Sequence, residues 1–413
     1  MMARIGTPHR APYATLHPQA GMSCNPRQSL KVLIGGLTAL VIAMGISRFA
    51  YTPLLPIMQS DAGLTDELAG YLASINYAGY LLGALWLIWR PPGNQATTPL
   101  RQQLLLNIAS TLCMGLTSSY PLWSALRFVG GFSSAMIFVL ASGVVLQHLA
   151  LHQRQSWSGW LYSAIGIGII LSAIVVPPLG SLFGWRVSWF SLALLSFLLA
   201  YPAYHWLEPH HPPPTAADHA ADKPRGRHML PWLTAAYFCA GFGYIITGTF
   251  LVTMLKRMPG LENSSTLAWL IVGLAAAPSS ILWMKLGLRF GAVKALIAAY
   301  IVQALGITLP VLSASLTGNL LGAACYGGTF MGIVTLSMHC GRTLTPESPH
   351  RTIGILTAAF GAGQILGPAI AGLIASHTQS FTPALYVAAL VIILGALCLA
   401  WGALHDKGQA INH

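Results

Sequence analysis

The sequence predicts an all-α membrane protein, and three observations carry that prediction. Of the 413 residues, 55% are hydrophobic and only 7% are charged. A soluble domain has roughly 25% charged residues and could not cover its surface with so few. The apolar residues come in runs of about 20, the length that crosses a hydrocarbon core, rather than at the amphipathic spacing of a surface helix. One long polar interruption, residues 208–230, leaves six such runs on either side. The expected architecture is therefore polytopic, with twelve transmembrane helices in two pseudo-symmetric six-helix bundles.

Residues 1–30 are polar and rich in Pro, His and Arg, with no apolar core of a signal peptide, so a disordered cytoplasmic tail is expected. The first span, 31–55, is apolar for fifteen residues and then places Arg48 between Ser47 and Phe49. A charge so deep in a span is costly and marks a candidate functional site. The second span, 67–89, carries Asn76 and Tyr80 on one helical face. It also carries Gly79 and Gly83 four apart, a spacing that lets helix backbones approach closely. The third and fourth spans are 100–119 and 121–147, the fourth carrying Arg127 followed by Gly130 and Gly131. The fifth (157–183) is rich in Gly, and the sixth (186–207) closes an N-terminal bundle over 31–207.

The Pro-, His- and charge-rich segment 208–230 is expected to be a cytoplasmic linker. Six more spans, at 231–255, 266–284, 292–313, 316–340, 352–376 and 382–404, build a C-terminal bundle over 231–404, and 405–413 is a short tail. Tyr244, Tyr326 and Gln364 are its polar candidates. Gly363 and Gly367 repeat the four-residue spacing, followed by Pro368.

Orientation follows from the basic residues. Sixteen Lys and Arg fall in loops on the side of the N-terminus and three (Arg186, Lys256, Arg257) on the other, so both termini and the linker are expected in the cytoplasm. Lys256 and Arg257 remain a local violation. The net charge of +12 is thus explained by loops facing the cytoplasm, and no nucleic-acid partner is expected. An internal repeat supports two halves: Gly45 aligns with Gly243 at a shift of 198, Ala69 with Ala268 at 199, and Gly166 with Gly361 at 195.

Twelve spans, a central linker and two similar halves resemble the major facilitator superfamily. LRFVGG on the fourth span is similar to that family's arginine–glycine motif, and AAFGAGQILGPAIAG on the eleventh to its glycine–proline motif. SRFAYTPLLPIM and AGYLASINYAGYLLGAL resemble the YbfB/YjiJ-type bacterial branch. The acidic–basic loop signature of the superfamily is missing after the second span, where WRPPGNQATTPLR has no carboxylate. The resemblance implies a monomeric transporter in a bacterial inner membrane, working by alternating access.

No enzyme signature is present, the scattered cysteines have no metal-ligand spacing, and no cofactor is expected. None of the nine acidic residues falls deep in a span. With two intramembrane arginines and no matching acids, the expected solute is small, organic and anionic; export of hydrophobic drugs by the same fold is the alternative, and a membrane sensor that transports nothing ranks lower. Coupling to a proton or a counter-solute is left open, with Asp66, Glu67, His148 and His339 the residues able to titrate. The substrate-binding candidates are Arg48, Tyr51, Asn76, Tyr80, Arg127, Tyr244, Tyr326 and Gln364. Those for gating or helix packing are Gly79, Gly83, Gly130, Gly131, Gly363, Gly367 and Pro368. Either arginine could instead pair with Asp66 or Glu67 in a purely structural role.

Overall fold

The computed structural model describes residues 26–91, 96–207, 228–313, 315–345 and 349–410. Helix α1 (Pro26–Ala62) begins within the stretch expected to be tail, because proline is well suited to a first helical turn, where its missing N–H is not needed. It is followed by α2 (Asp66–Trp89), α3 (Thr97–Leu116) and α4 (Tyr120–Leu151). The helical stretch Ser158–His205 is two spans, α5 before Gly184 and α6 after it. Gly184 breaks the run with φ 79° and ψ 178°, a conformation that only glycine adopts without strain.

The second half comprises α7 (Met229–Lys256), α8 (Ser265–Phe290), α9 (Ala292–Leu312), α10 (Leu316–Leu344), α11 (Pro349–Thr378) and α12 (Thr382–Ala410). The last continues through most of the segment expected to be a tail. Most of the expected linker lies outside the described residues. Among these helices, α3 is the least evidently transmembrane because Arg101, Gln102, Gln103 and Asn107 dilute its apolar character. Its twenty residues still reach about 30 Å, enough to span.

The packing is pseudo-symmetric. Within the first half α2 packs on α4, α1 on α5 and α3 on α6; within the second α8 packs on α10, α7 on α11 and α9 on α12. Two long seams join the halves, α2 against α11 and α5 against α8, and adding six to each number exchanges one seam for the other. The repeat seen in the sequence maps onto these seams. A Cβ on Gly166 would lie 2.5 Å from the Gly273 carbonyl and the Ala277 amide across one seam, and one on Gly361 would lie 2.8 Å from Leu81 across the other.

The glycines predicted to be packing positions lie at close approaches. Any Cβ on Gly79, Gly83 or Gly131 would overlap backbone of the facing helix, fixing α2 against α4. Gly363 and Gly367 do the same for α11 on α7, and the Pro368 carbonyl is the atom a Cβ on Gly70 would strike. Gly130 differs: its nearest neighbours would be the hydroxyls of Ser47 and Ser110 at 3.3 and 3.4 Å, so it leaves room for polar groups rather than for a helix.

Candidate functional site

Arg48 lies in a segment of unusual geometry. Residues Val41–Phe49 of α1 form a π-helix, whose wider i→i+5 bonding releases carbonyls from the normal ladder. Side chains of α4 approach two of them: Arg127 Nη1 donates to the Ser47 carbonyl at 2.9 Å, and Ser134 Oγ lies 2.8 Å from that of Ala43. Asn107 on α3 places Nδ2 within reach of Ser47 Oγ (3.2 Å) and Ser133 Oγ (2.8 Å). The network holds the π segment open from behind, and close apposition of Gly45 to Gly168 holds it from the α5 side.

From that segment the Arg48 side chain reaches the boundary between the halves. It is only 3% exposed. Its Cζ lies 4.2 Å from the ring centre of Tyr80, 4.5 Å from that of Tyr77 and 5.8 Å from that of Phe49. Its Nη1 has the Met44 sulfur at 3.9 Å, while Nε and Nη2 have no hydrogen-bond partner. Such faces attract a cation, and the Tyr77 and Tyr80 hydroxyls interact with the guanidinium, but no carboxylate stands against it among the described residues.

The second half contributes a column of rings. Tyr237, Phe360, Tyr244, Phe330 and Tyr326 follow one another at centroid spacings of 4.4, 5.5, 5.7 and 5.8 Å, with interplanar angles of 20, 13, 12 and 24°. Tyr326 Oη donates to the Tyr244 carbonyl at 3.1 Å, and Gln364 Nε2 donates to Tyr244 Oη, leaving Gln364 Oε1 buried without a partner. Phe49 meets Phe330 at 6.0 Å and 52°, the aromatic contact that crosses between halves among the described residues.

The predicted site residues therefore separate. Arg48, Tyr80, Tyr244 and Gln364 converge on the boundary, with Tyr326 supporting Tyr244 from behind. Arg127, Asn76 and Tyr51 lie inside the first bundle. Arg127, 2% exposed, has its Cζ 4.6 Å from the ring centre of Tyr51; Tyr51 Oη donates to the Ala69 carbonyl at 3.1 Å, and Asn76 Nδ2 to that of Arg127 at 2.7 Å. The two arginines thus have different neighbours, Arg48 the rings of Tyr80, Tyr77 and Phe49 and Arg127 that of Tyr51, and Arg127 too keeps Nε and Nη2 without a hydrogen-bond partner. Arg127 borders a cavity of about 10 Å³, lined also by Ser47, Asn76, Ser110 and Trp189, which has room for about one water.

Neither arginine takes Asp66 as partner. Arg257 does, with Nη1 at 2.8 Å from Oδ2 and Nη2 at 2.7 Å from Oδ1, and Gln59 adds Nε2 to Oδ1 at 2.6 Å. This bidentate pair joins the α1–α2 turn of one half to the end of α7 in the other. It gives the misplaced basic residue at 257 a structural reason. Nearby, Thr52 donates to the Gly248 carbonyl, also from half to half.

Sequence reasoning missed Phe49, Tyr77, Phe330, Phe360 and Tyr237. The available signals were local: Tyr77 and Tyr80 are three apart on α2, and Phe330 follows Tyr326 by four on α10, so each pair shares a face.

The family described as the uncharacterised MFS-type transporter YbfB matches residues 40–400. The MFS-type transporter YceJ of Bacillus subtilis (strain 168) is 26% identical over 86% of this chain and 92% of its own. YtbD of the same organism is 22% identical over 91% and 96%. Among solved structures, the nucleoside transporter NupG (D323A mutant) superposes with a TM-score of 0.72 at 13% identity, covering 91% of this chain and 99% of that one. That likeness concerns fold, and the family match concerns ancestry. Together with two six-helix halves joined along α2–α11 and α5–α8, they place the chain in the YbfB-type family of major facilitator transporters.

Proposed function

We propose that this transporter moves a small anionic organic solute across a bacterial inner membrane by alternating access. The halves rock along the two glycine-lined seams, and both termini face the cytoplasm. The observation that carries the reading is Arg48: a buried guanidinium at the boundary between mobile halves, with two N–H-bearing nitrogens unpartnered and no carboxylate against it among the described residues. A charge in that position is costly, and a bound anion supplies what the protein does not. A carboxylate or phosphate would take charge-assisted, paired hydrogen bonds from it.

On this reading the Asp66–Arg257 pair and the Thr52–Gly248 bond close the periplasmic end, so the form described is sealed outwards. A second reading, export of hydrophobic compounds, draws on the column of five rings, which would offer apolar faces to a neutral ligand.

Thermal-shift measurements on the purified chain in detergent, against panels of anionic metabolites and of neutral drugs, separate the two. Stabilisation by anions that disappears in Arg48→Gln is expected. Stabilisation by neutral compounds, unchanged in that variant, would establish the export reading instead.

A further inference from the structure

The free edge of Arg48 and the rings beside it define the solute more closely. Nε and Nη2 share one edge of a guanidinium, the edge that meets both oxygens of a carboxylate side by side. In Arg48 both nitrogens of that edge are buried and unpartnered. Opposite, in the second half, Tyr244 and Phe330 lie nearly parallel, 12° apart, and Phe330 is reached from the first half by the tilted ring of Phe49. Rocking of the halves has to part that contact. It would leave a guanidinium fork on one wall and, on the other, the side of the Phe330 ring that Phe49 meets at a tilt.

We infer that the preferred solute is an aromatic carboxylate, with its carboxylate on the Nε–Nη2 edge of Arg48 and its ring taking the place of Phe49 against Phe330. Phe49 then acts as the internal occupant of the ring subsite when the carrier is empty. The proposal rests on the anion reading above, and it adds a requirement that reading does not make: a planar π ring, rather than any apolar group of similar size. An aromatic pair, stacked or edge-to-face, gains roughly 0.5–1.5 kcal/mol beyond the area it buries, equivalent to a preference of about two- to tenfold.

The test uses the purified full-length chain in detergent and measures affinity by titrated thermal shift. Benzoate and phenylacetate are compared with cyclohexanecarboxylate and cyclohexylacetate, which keep the charge and approximate size but lack the π face. The aromatic acids are expected to bind about two- to tenfold tighter, with Arg48→Lys weakening all four because a lysine has no fork. Phe330→Leu should bring the ratio close to one. Should that variant fail to fold, Phe360→Leu, at a half-buried ring on the far side of Tyr244 from Phe330, is expected to lower the same ratio by loosening the Tyr244 ring that Phe330 packs on.

Equal affinities for ring-saturated and aromatic acids, all dependent on Arg48, would overturn the aromatic inference and leave the anion reading standing. No binding of any of the four acids, with binding of benzyl alcohol, would overturn both.

Discussion

At the scale of single residues, Arg48 sets function against stability. A guanidinium buried without a carboxylate carries an uncompensated desolvation cost, and removing such a charge from a protein interior is often neutral or stabilising. Arg48→Met should therefore raise the thermal midpoint of the empty protein in detergent while weakening anion binding by at least about tenfold, the loss of two charge-assisted hydrogen bonds. A fall in midpoint together with the loss of binding would make Arg48 a structural residue.

This residue was legible in the sequence for the reason that makes it costly, since one arginine in an apolar span cannot be mistaken for lipid-facing surface. Phe49, Phe330 and Phe360 were not legible, because a phenylalanine in such a span has the same composition whether it faces lipid, core or solute. Arg127 drew attention by the same charge, and only the fold reveals that its Nη1 serves the Ser47 carbonyl while Nε and Nη2 stay without a hydrogen-bond partner.

At the scale of elements, close approach is the controlling quantity. The α2–α4 pair meets at Gly79, Gly83 and Gly131, where an added Cβ would run into Phe128, Phe132 or Asn76 backbone. Backbone cannot yield as a flexible side chain can, so Gly131→Ala should cost about 1–3 kcal/mol, the usual penalty of overpacking. Gly143, on the same α4, has nothing within 4 Å of the equivalent position. Gly143→Ala should leave the midpoint unchanged or slightly raised, since alanine is the better helix former. Equal losses in the two variants, measured by fluorescence-detected size exclusion after heating, would refute the packing account.

The spans themselves were legible from length and apolarity, and Gly184 sits where the sequence places the break between the fifth and sixth. The π segment was not. Residues Val41–Phe49 are good α-helix material by composition, and the wider turn depends on Arg127, Ser134 and the Gly45–Gly168 approach, all distant in sequence.

At the scale of the molecule, the halves meet along two seams, and an ion pair joins them at one end. The sequence shows the two halves through near-constant repeat shifts. It cannot show which end is closed, since that depends on a few polar contacts brought together only by folding. Asp66 and Arg257 supply the charged one. The Arg257 side chain is 43% exposed and that of Asp66 11%, so solvent screens the pair and its worth is about 1 kcal/mol at most. In the proposed rocking carrier that is enough to change the ratio of its two forms about fivefold, and it is too little to threaten the fold.

Asp66→Asn should therefore leave the thermal midpoint within error while increasing labelling, by an impermeant reagent added on the side of the Asp66–Arg257 pair, of a cysteine placed at Thr247, a buried position one residue before the Gly248 carbonyl that Thr52 holds. Exchanging the charges, Asp66→Arg with Arg257→Asp, should restore the low labelling rate, because the bidentate pair re-forms with its direction reversed. Rescue by the exchange is the decisive arm, since a general loosening of the α1–α2 turn would raise labelling in both variants alike. The effect should also shrink at high salt, as expected for an exposed pair within reach of counter-ions, whereas labelling governed by the Thr52–Gly248 bond would not respond to ionic strength.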